Sequence, residues 1–112
     1  MEDMKKNLEE VESSLQMLGK EYPEVMKKFS GFMGAVDRDG ALKHKTKELI
    51  SISLAVAKQC KWCIAFHVKK ALTAGATKDE IMESCFVAAL MAGGPALMYT
   101  QLVVKAIEEY SK

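Results

Sequence analysis

The sequence predicts an all-α fold, a single-domain bundle of about six helices over residues 1–112. Apolar residues recur at spacings of three and four along most of the chain, which is the period of an amphipathic helix. Prolines and glycines stand where such helices would begin and end. No two segments alternate convincingly as paired strands, so we do not expect a sheet. A chain of 112 residues has the length of one domain.

The composition argues against several classes of partner. Sixteen basic residues stand against 15 acidic ones, for a net charge of +1, so charge gives no reason to expect nucleic acid or an anionic membrane as a partner. No stretch approaches about 18 continuous apolar residues, the length of a membrane span. The first seven residues lack the apolar run of a signal peptide. We therefore expect a cytoplasmic protein.

Each of the first two helices is predicted from an apolar stripe. The first stripe comprises Met4, Leu8, Val11, Leu15 and Leu18. Gly19 ends this helix together with the step from Tyr22 to Pro23, and Pro23 suits the first turn of the next helix. The second stripe, which we expect to face inward, comprises Val25, Met26, Phe29, Phe32, Met33 and Val36. Residues 37–40, Asp-Arg-Asp-Gly, then form a turn.

The third segment, residues 43–58, combines two competing patterns. Residues 50–54, Ile-Ser-Ile-Ser-Leu, alternate as in a strand. They are continuous, however, with a lysine-rich start, and the segment continues into Ala-Val-Ala. A length of about 16 residues and the alanines favour a buried helix over a strand. We predict a helix for this segment.

Three more helices have recognisable boundaries. The fourth starts near Cys60 and runs to residue 74, where Gly75 is placed as a left-handed terminator. Thr77 and Glu80 form a capping box, in which each side chain satisfies the other residue's backbone amide. This box opens the fifth helix, which we expect to extend to residue 91. After a Gly-Gly break, Pro95 starts the sixth helix.

Cys60 and Cys63 form the most informative motif, a C-x-x-C at the predicted start of a helix. Residues three apart share a helix face, with Cα atoms roughly 5 to 6 Å apart, which is within reach of a disulfide. At a helix N-terminus the dipole and the free amides stabilise a thiolate. In a reducing compartment this spacing indicates catalysis or metal binding before a structural disulfide. We favour a dithiol that is oxidised and reduced in cycles.

Two further residues can move protons for this dithiol. His67 follows Cys63 by four residues, one helical turn, so its imidazole can take the thiol proton and return it to a leaving group. Glu48 lies on the preceding helix, at the border of an apolar run. A carboxylate near His67 can orient the ring and accept the next proton. The result is a nucleophile, a base and a group that orients the base.

The residues alone leave other interpretations open. Cys60, Cys63 and His67 would supply three of the four ligands of a zinc site, with Cys85 or Glu48 as the fourth. The cysteines can also be idle, and Glu48 can be a solvated helix residue. No haem attachment motif is present, because the residue after the second cysteine is isoleucine, and no phosphate-binding loop is present.

Three other residues receive plain structural interpretations. Cys85 lies in an apolar run and is expected to be a small buried residue. Trp62, between the two cysteines, is expected to pack or to shield the site. His44 lies among lysines and is expected to be a solvated helix start.

These residues together resemble the carboxymuconolactone decarboxylase superfamily and, within it, the AhpD-like alkylhydroperoxidase branch. The resemblance covers about residues 43–96. It rests on Glu48, the cysteine pair, His67 and the segments 71–77, 80–81 and 93–95. The spacings of twelve from Glu48 to Cys60 and four from Cys63 to His67 match those of the superfamily.

The resemblance implies a cofactor-free and metal-free dithiol peroxidase. Cys63 would attack an organic or hydrogen peroxide and become a sulfenic acid. Cys60 would then close a disulfide, which an external dithiol reductant reopens, while Glu48 and His67 relay protons. The resemblance also implies a homo-oligomer, commonly a hexamer built as a trimer of dimers. We expect Met82, Met91, Met98 and the first helix to pack between its subunits.

One position departs from the pattern of the branch. Its well-characterised peroxidases have a histidine directly before the second cysteine, where this chain has Trp62. The dithiol can therefore exchange instead with protein or small-molecule disulfides. Lactone decarboxylation, the superfamily's founding activity, is the alternative enzymatic function, although members with that activity generally lack the cysteine pair. A zinc-bound or purely structural oligomeric module is the non-enzymatic alternative.

Overall fold

The computed structural model describes residues 2–112, which form six helices and no strand. The helices are α1 (Met4–Glu21), α2 (Pro23–Asp37), α3 (His44–Ala57), α4 (Lys61–Thr73), α5 (Lys78–Ala92) and α6 (Gly94–Tyr110). The predicted all-α fold is confirmed. Within residues 2–112, no helix combines the length and the apolar character that crossing a bilayer requires.

Helices α3 and α4 lie at the centre of the packing. Helix α3 contacts α4, α5 and α6, and α4 also contacts α1 and α6. Fully buried side chains from five helices form the core around α3 and α4. These are Met4, Ile52, Val56, Ile64, Val68, Ile81, Cys85 and Val103. The two helices that carry the predicted site are therefore held in place by the core.

The third segment is a helix because its buried residues follow a helical period. Glu48, Ile52, Ala55 and Val56 are buried, at spacings of three and four, whereas the strand-like alternation would bury Ile50 and Leu54 with Ile52. Ile50 and Leu54 are instead exposed. The serines satisfy their hydroxyls within the helical packing, since Ser51 Oγ donates to the carbonyl of Lys47 at 3.0 Å.

A tight turn connects α3 to α4. Gln59 adopts a left-handed backbone conformation with φ of +57°. The N–H of Cys60 donates to the carbonyl of Ala55 at 3.0 Å, which is the long hydrogen bond of a Schellman motif. The residue that ends α3 in this way is followed at once by Cys60, the N-cap of α4. The direction in which α4 leaves α3 is thus fixed next to the cysteine pair.

Replacing Gln59 with glycine should stabilise the protein. A side chain with a Cβ costs roughly 1–2 kcal/mol in the left-handed region, while glycine loses about 0.5–1 kcal/mol through its greater freedom in the unfolded chain. We expect Gln59→Gly to raise the free energy of unfolding by up to about 1 kcal/mol, measured by urea denaturation. Gln59→Ala keeps the Cβ and is the matched control, with no gain expected. A glycine variant less stable than the alanine variant would contradict this account.

The predicted boundaries of the later helices are confirmed. Gly75 has φ of +91° just beyond α4. At the start of α5, Thr77 Oγ1 accepts from the N–H of Glu80 at 3.1 Å, and Glu80 Oε1 accepts from the N–H of Thr77 at 2.9 Å. The hydrogen bond from the Thr77 amide, followed by that from the Lys45 ammonium, lowers the pKa of Glu80. The capping box therefore also connects α5 to α3.

The prediction that the α2 stripe faces inward is wrong. Helix α2 packs mainly against α1 and more weakly against α3, its last residue Asp37 pairs with Lys70 on α4, and it has no buried residue. Met26 and Met33 are half-buried. The remaining four stripe residues form an exposed apolar surface, called the α2 face below: Val25, Phe29, Phe32 and Val36. The pattern identified which side of the helix is apolar, but within residues 2–112 no further helix covers that side.

Candidate dithiol site

The two cysteines of the motif form a disulfide at the N-terminus of α4. Cys60 is the N-cap residue and Cys63 lies in the first turn, with 5.3 Å between their Cα atoms. The N–H of Cys63 donates to Cys60 Sγ at 3.1 Å, in the role that a capping oxygen usually fills. Cys63 is exposed and Cys60 is half-buried. The disulfide therefore joins an exposed residue to a half-buried one, and a backbone amide donates to the sulfur of the half-buried residue.

His67, on the helix that carries the disulfide, is in direct contact with Glu48 on α3. His67 Nδ1 lies 2.8 Å from Glu48 Oε1, which connects α4 to α3. The His67 side chain is 22% exposed, and that of Glu48 is fully buried. When Glu48 is ionised its carboxylate can only accept, and the pair then requires the hydrogen on Nδ1, which leaves Nε2 as an acceptor. That tautomer is the one that can take a proton from a thiol.

The second oxygen of Glu48 faces two more cationic or ionisable groups. Lys70 Nζ lies 3.3 Å from Glu48 Oε2, close enough for an ion pair although not aligned as a hydrogen bond. His44 Nδ1 lies 3.9 Å from the same oxygen. A buried carboxylate is costly unless it is paired. Glu48 is thus a buried residue paired with cationic or ionisable groups, and the alternative that it is a solvated helix residue is wrong.

Lys70 is itself held by a second carboxylate. Its ammonium donates to Asp37 Oδ2 at the end of α2. Burial pulls the pKa of Lys70 down, but the hydrogen bond to Asp37 and the charges of Glu48 and Asp37 outweigh it and raise the pKa above its ordinary value. Neither Lys70 nor Asp37 was predicted from the sequence as a site residue. Lys70 follows His67 by three residues and so shares its helix face, which is the one signal that pointed to it.

His44 is less exposed than the sequence indicated. It begins α3 as expected, but its side chain is only 35% exposed. Its ring Nδ1 lies 2.7 Å from the backbone carbonyl of Asp37, and its backbone N–H donates to Asp39 Oδ1 at 2.8 Å. The turn between α2 and α3 folds back over the helix start and accounts for this burial. His44 therefore contributes to the surroundings of Glu48.

Potential metal ligands converge at a different place from the one considered in the sequence. Among residues 2–112, the group that could hold an ion is Asp37, His44 and Glu48, whose ligand atoms lie within 4.8 Å of one another. The Lys70 ammonium already contacts one oxygen of each of the two carboxylates. We therefore interpret the group as a lysine-centred ion cluster. The disulfide occupies both sulfurs of the motif.

Trp62 stands beside the disulfide rather than in the core. It is 49% exposed, and its Nε1 donates to Glu10 Oε1 on α1 at 2.9 Å. The Lys61 ammonium lies 5.0 Å from the centre of its ring. Trp62 also forms one wall of an open groove of about 590 Å³ against α1. Trp62 therefore packs against α1, which is the first of the two roles expected for it.

Cys85 is buried in the core, as predicted. It is 0% exposed, and burial raises the pKa of its thiol to about 11. A thiol with that pKa has almost no thiolate at neutral pH, and thiolate is the reactive form. Cys85 is therefore a poor nucleophile and a suitable internal reference when thiols are counted.

Comparison with known proteins places this arrangement in a family. The model of the carboxymuconolactone decarboxylase family matches residues 23–106. A protein of Cupriavidus necator is 39% identical over 97 residues, which are 87% of this chain and 86% of that protein. One encoded in the cox locus of Paracoccus denitrificans is 41% identical over 72% of this chain and 73% of its own length.

Solved structures share the fold over nearly the whole chain. The apo form of a carboxymuconolactone decarboxylase family protein from Legionella pneumophila has 43% identity and a TM-score of 0.93, covering 97% of both chains. A family member from Thermotoga maritima, described as a candidate for involvement in the antioxidative response, has 27% identity and a TM-score of 0.82, covering 93% of this chain and 89% of that one. The chain therefore belongs to the carboxymuconolactone decarboxylase family.

Proposed function

We propose that this protein is a dithiol peroxidase that reduces organic or hydrogen peroxides through Cys60 and Cys63. The observation that carries the proposal is the disulfide at the N-terminus of α4, one helical turn before a histidine that contacts a buried carboxylate. The dipole and amides of a helix N-terminus stabilise a thiolate. The antioxidative role suggested for the Thermotoga maritima relative fits the same chemistry.

Cys63 is the proposed attacking residue. Its exposure leaves it open to a peroxide, and it precedes His67 by one turn. His67 Nε2 takes the thiol proton as the sulfur attacks one peroxide oxygen. The S–O bond forms, the O–O bond breaks, and the sulfur loses two electrons to the peroxide. His67 returns the proton to the leaving alkoxide, which departs as an alcohol, and Cys63 becomes a sulfenic acid.

Cys60 is the proposed resolving residue. The Cys63 amide that donates to Cys60 Sγ supports a thiolate there in the reduced protein. This thiolate attacks the sulfenic sulfur, the S–S bond forms, and the hydroxide that leaves is protonated to water. An external dithiol then reduces the disulfide by exchange and becomes oxidised itself. Peroxide and dithiol are consumed in equal amounts, and no cofactor or metal is required.

Direct exchange with another disulfide is the second candidate function. Trp62 supplies no acid or base beside Cys63, and the exposed sulfur is open to a larger sulfur-containing partner as well as to a peroxide. In that reaction the reduced dithiol attacks a substrate disulfide through Cys63 and is released by Cys60. Lactone decarboxylation stays a weaker alternative, because it gives the cysteine pair no role.

We further propose that the protein works as a homo-oligomer. The α2 face exposes four large apolar side chains on one side of a helix, and contiguous apolar surface of this kind usually marks an interaction site. Met91 and Met98 are exposed as well, whereas Met82 packs against the core. A trimer of dimers that covers these surfaces is the assembly we predict, and sedimentation velocity would measure it.

The function is tested by counting free thiols in the reduced protein. We expect three thiols before, and one after, a small excess of an alkyl hydroperoxide, with dithiothreitol restoring three. The remaining thiol should map to Cys85 by peptide mass spectrometry. If all three thiols survive the peroxide, the peroxidase proposal fails. Loss of two thiols with a small disulfide, but not with the peroxide, would instead favour exchange.

A further inference from the structure

Three helices contribute to an ion cluster in which Lys70 is central. Its ammonium contacts Asp37 at the end of α2 and Glu48 on α3, while Lys70 itself lies on α4. The side chain is 24% exposed, and that of Asp37 is 20% exposed. The cluster is thus largely shielded from solvent, where charge pairs interact more strongly than at a surface.

Lys70 and His67 divide the two oxygens of Glu48 between them. His67 Nδ1 is 2.8 Å from Oε1, and Lys70 Nζ is 3.3 Å from Oε2. The two residues are three apart on α4 and therefore face the same side of the helix. Oε1 contacts the base of the proposed reaction, and Oε2 contacts a permanent cation.

The remaining charges near Glu48 do not replace that cation. Within residues 2–112, the ion-pair partners of Glu48 are His44, His67 and Lys70. His44 Nδ1 points to the carbonyl of Asp37 at 2.7 Å and lies 3.9 Å from Glu48. Asp37 adds a second negative charge on the other side of Lys70. Without the ammonium, two carboxylates would share only imidazoles as counter-ions.

The charge of Lys70 persists across the working pH range. Burial alone lowers the pKa of Lys70, but its hydrogen bond to Asp37 and the charge of Glu48 raise the pKa overall. Glu48 therefore has a permanent cation 3.3 Å from its Oε2 as a counter-ion, and this counter-ion does not depend on a proton at His67.

We propose that Lys70 is a positioning residue for the dithiol reaction, because its ammonium, between the carboxylates of Asp37 and Glu48, keeps Glu48 ionised and His67 neutral. Lys70 touches neither sulfur nor substrate in this role and acts through Glu48. The inference rests on the proposed function of Cys60 and Cys63 for its catalytic meaning. Its electrostatic content concerns only the protonation of His67 and can be measured separately.

The test is an NMR titration of the imidazoles in the oxidised protein without peroxide. The chain has two histidines, so a His44→Gln background leaves one imidazole signal to follow. We expect Lys70→Met to move the His67 titration midpoint upward by about one pH unit, because the cation that shares the Glu48 carboxylate with His67 is lost. Lys70→Arg should keep the midpoint of the parent. Asp37→Asn removes an anion and should move it downward.

The opposite directions of the two shifts keep the test valid if one variant folds poorly. Circular dichroism would establish which variants are folded. An unchanged midpoint in folded Lys70→Met, or an upward shift in Asp37→Asn, would overturn the proposal. If the midpoints move as expected but peroxide leaves the thiols intact, the peroxidase function fails while the control of His67 by Lys70 stands. In an active protein, Lys70→Met should also shift the acid limb of the kcat profile to higher pH.

Discussion

A Cys63→Ser variant should lose peroxide reduction entirely, below the detection limit of a coupled assay. The reacting atom in the proposed mechanism is the sulfur of Cys63, an exposed residue in the first turn of α4. A serine hydroxyl at the same place is not a thiolate and cannot form a sulfenic acid. Peroxide consumption under an excess of dithiol measures the effect directly.

Cys60→Ser is the matched control, because it makes the same replacement of sulfur by oxygen in the other cysteine of the disulfide. Without added thiol, which would itself reduce a sulfenic acid, this variant should consume one equivalent of peroxide in a single turnover and then stop. The trapped sulfenic acid at Cys63 should react with dimedone and be located by peptide mass spectrometry. If Cys60→Ser were inert and Cys63→Ser consumed the equivalent, the roles of the two cysteines would be reversed.

A His67→Gln variant should react with peroxide about 10² times more slowly at neutral pH, within the usual range for loss of a general base. Glutamine keeps a hydrogen-bond donor for Glu48 but cannot accept the thiol proton. The rate should recover as the pH approaches about 8.5, the ordinary value for a cysteine thiol, because the thiolate then forms without a base. Stopped-flow measurements of peroxide-driven disulfide formation from pH 5 to 10 would show this.

Glu48→Gln provides a second test of the same relay. An amide of the same shape keeps the contact with His67, but it removes the buried negative charge that stabilises an imidazolium. We expect Glu48→Gln to lower the rate less than His67→Gln does and to retain the helical fold.

A His67→Gln variant with the parent rate at pH 7 would exclude the histidine as the base.

Local sequence patterns predicted most of the fold because the helix boundaries have unambiguous chemistry. The capping box of Thr77 and Glu80 and the left-handed Gly75 occur where they were expected. The third segment was predicted to be a helix from its length and its alanines. The structure agrees, since the burial of Glu48 and Ile52 follows a helical period. These signals lie within a few residues of the feature that they determine.

Burial of the second helix could not be predicted in the same way. An apolar stripe shows which side of a helix avoids water, but it does not show what covers that side. Phe29 and Phe32 are 52% and 68% exposed, because the elements among residues 2–112 that pack against α2 leave this side of it largely uncovered. Their partner, in our proposal, is another copy of the chain, and a pattern along one sequence does not contain that contact.

The sequence could identify the cysteines, His67 and Glu48 of the candidate site, but not the ion cluster around Lys70. The spacing of Cys63 and His67 along one helix was enough to group them. Glu48 was identified by its position at the border of an apolar run on the preceding helix, and the family resemblance then supported it. Lys70 and Asp37 were missed because their contacts join three helices, α2, α3 and α4. Sequence separation hides such clusters until the turn after α2 brings Asp37 against α4.

The most direct test of the central claim is the stoichiometry and rate of the first turnover. Reduced protein would be mixed with one equivalent of tert-butyl hydroperoxide, with alcohol release and disulfide formation followed together. We predict one tert-butanol for each Cys60–Cys63 disulfide, at a rate about 10² times that of free cysteine at the same pH. Disulfide formation no faster than with free cysteine, or without matching alcohol, would contradict the assignment of this site to peroxide reduction.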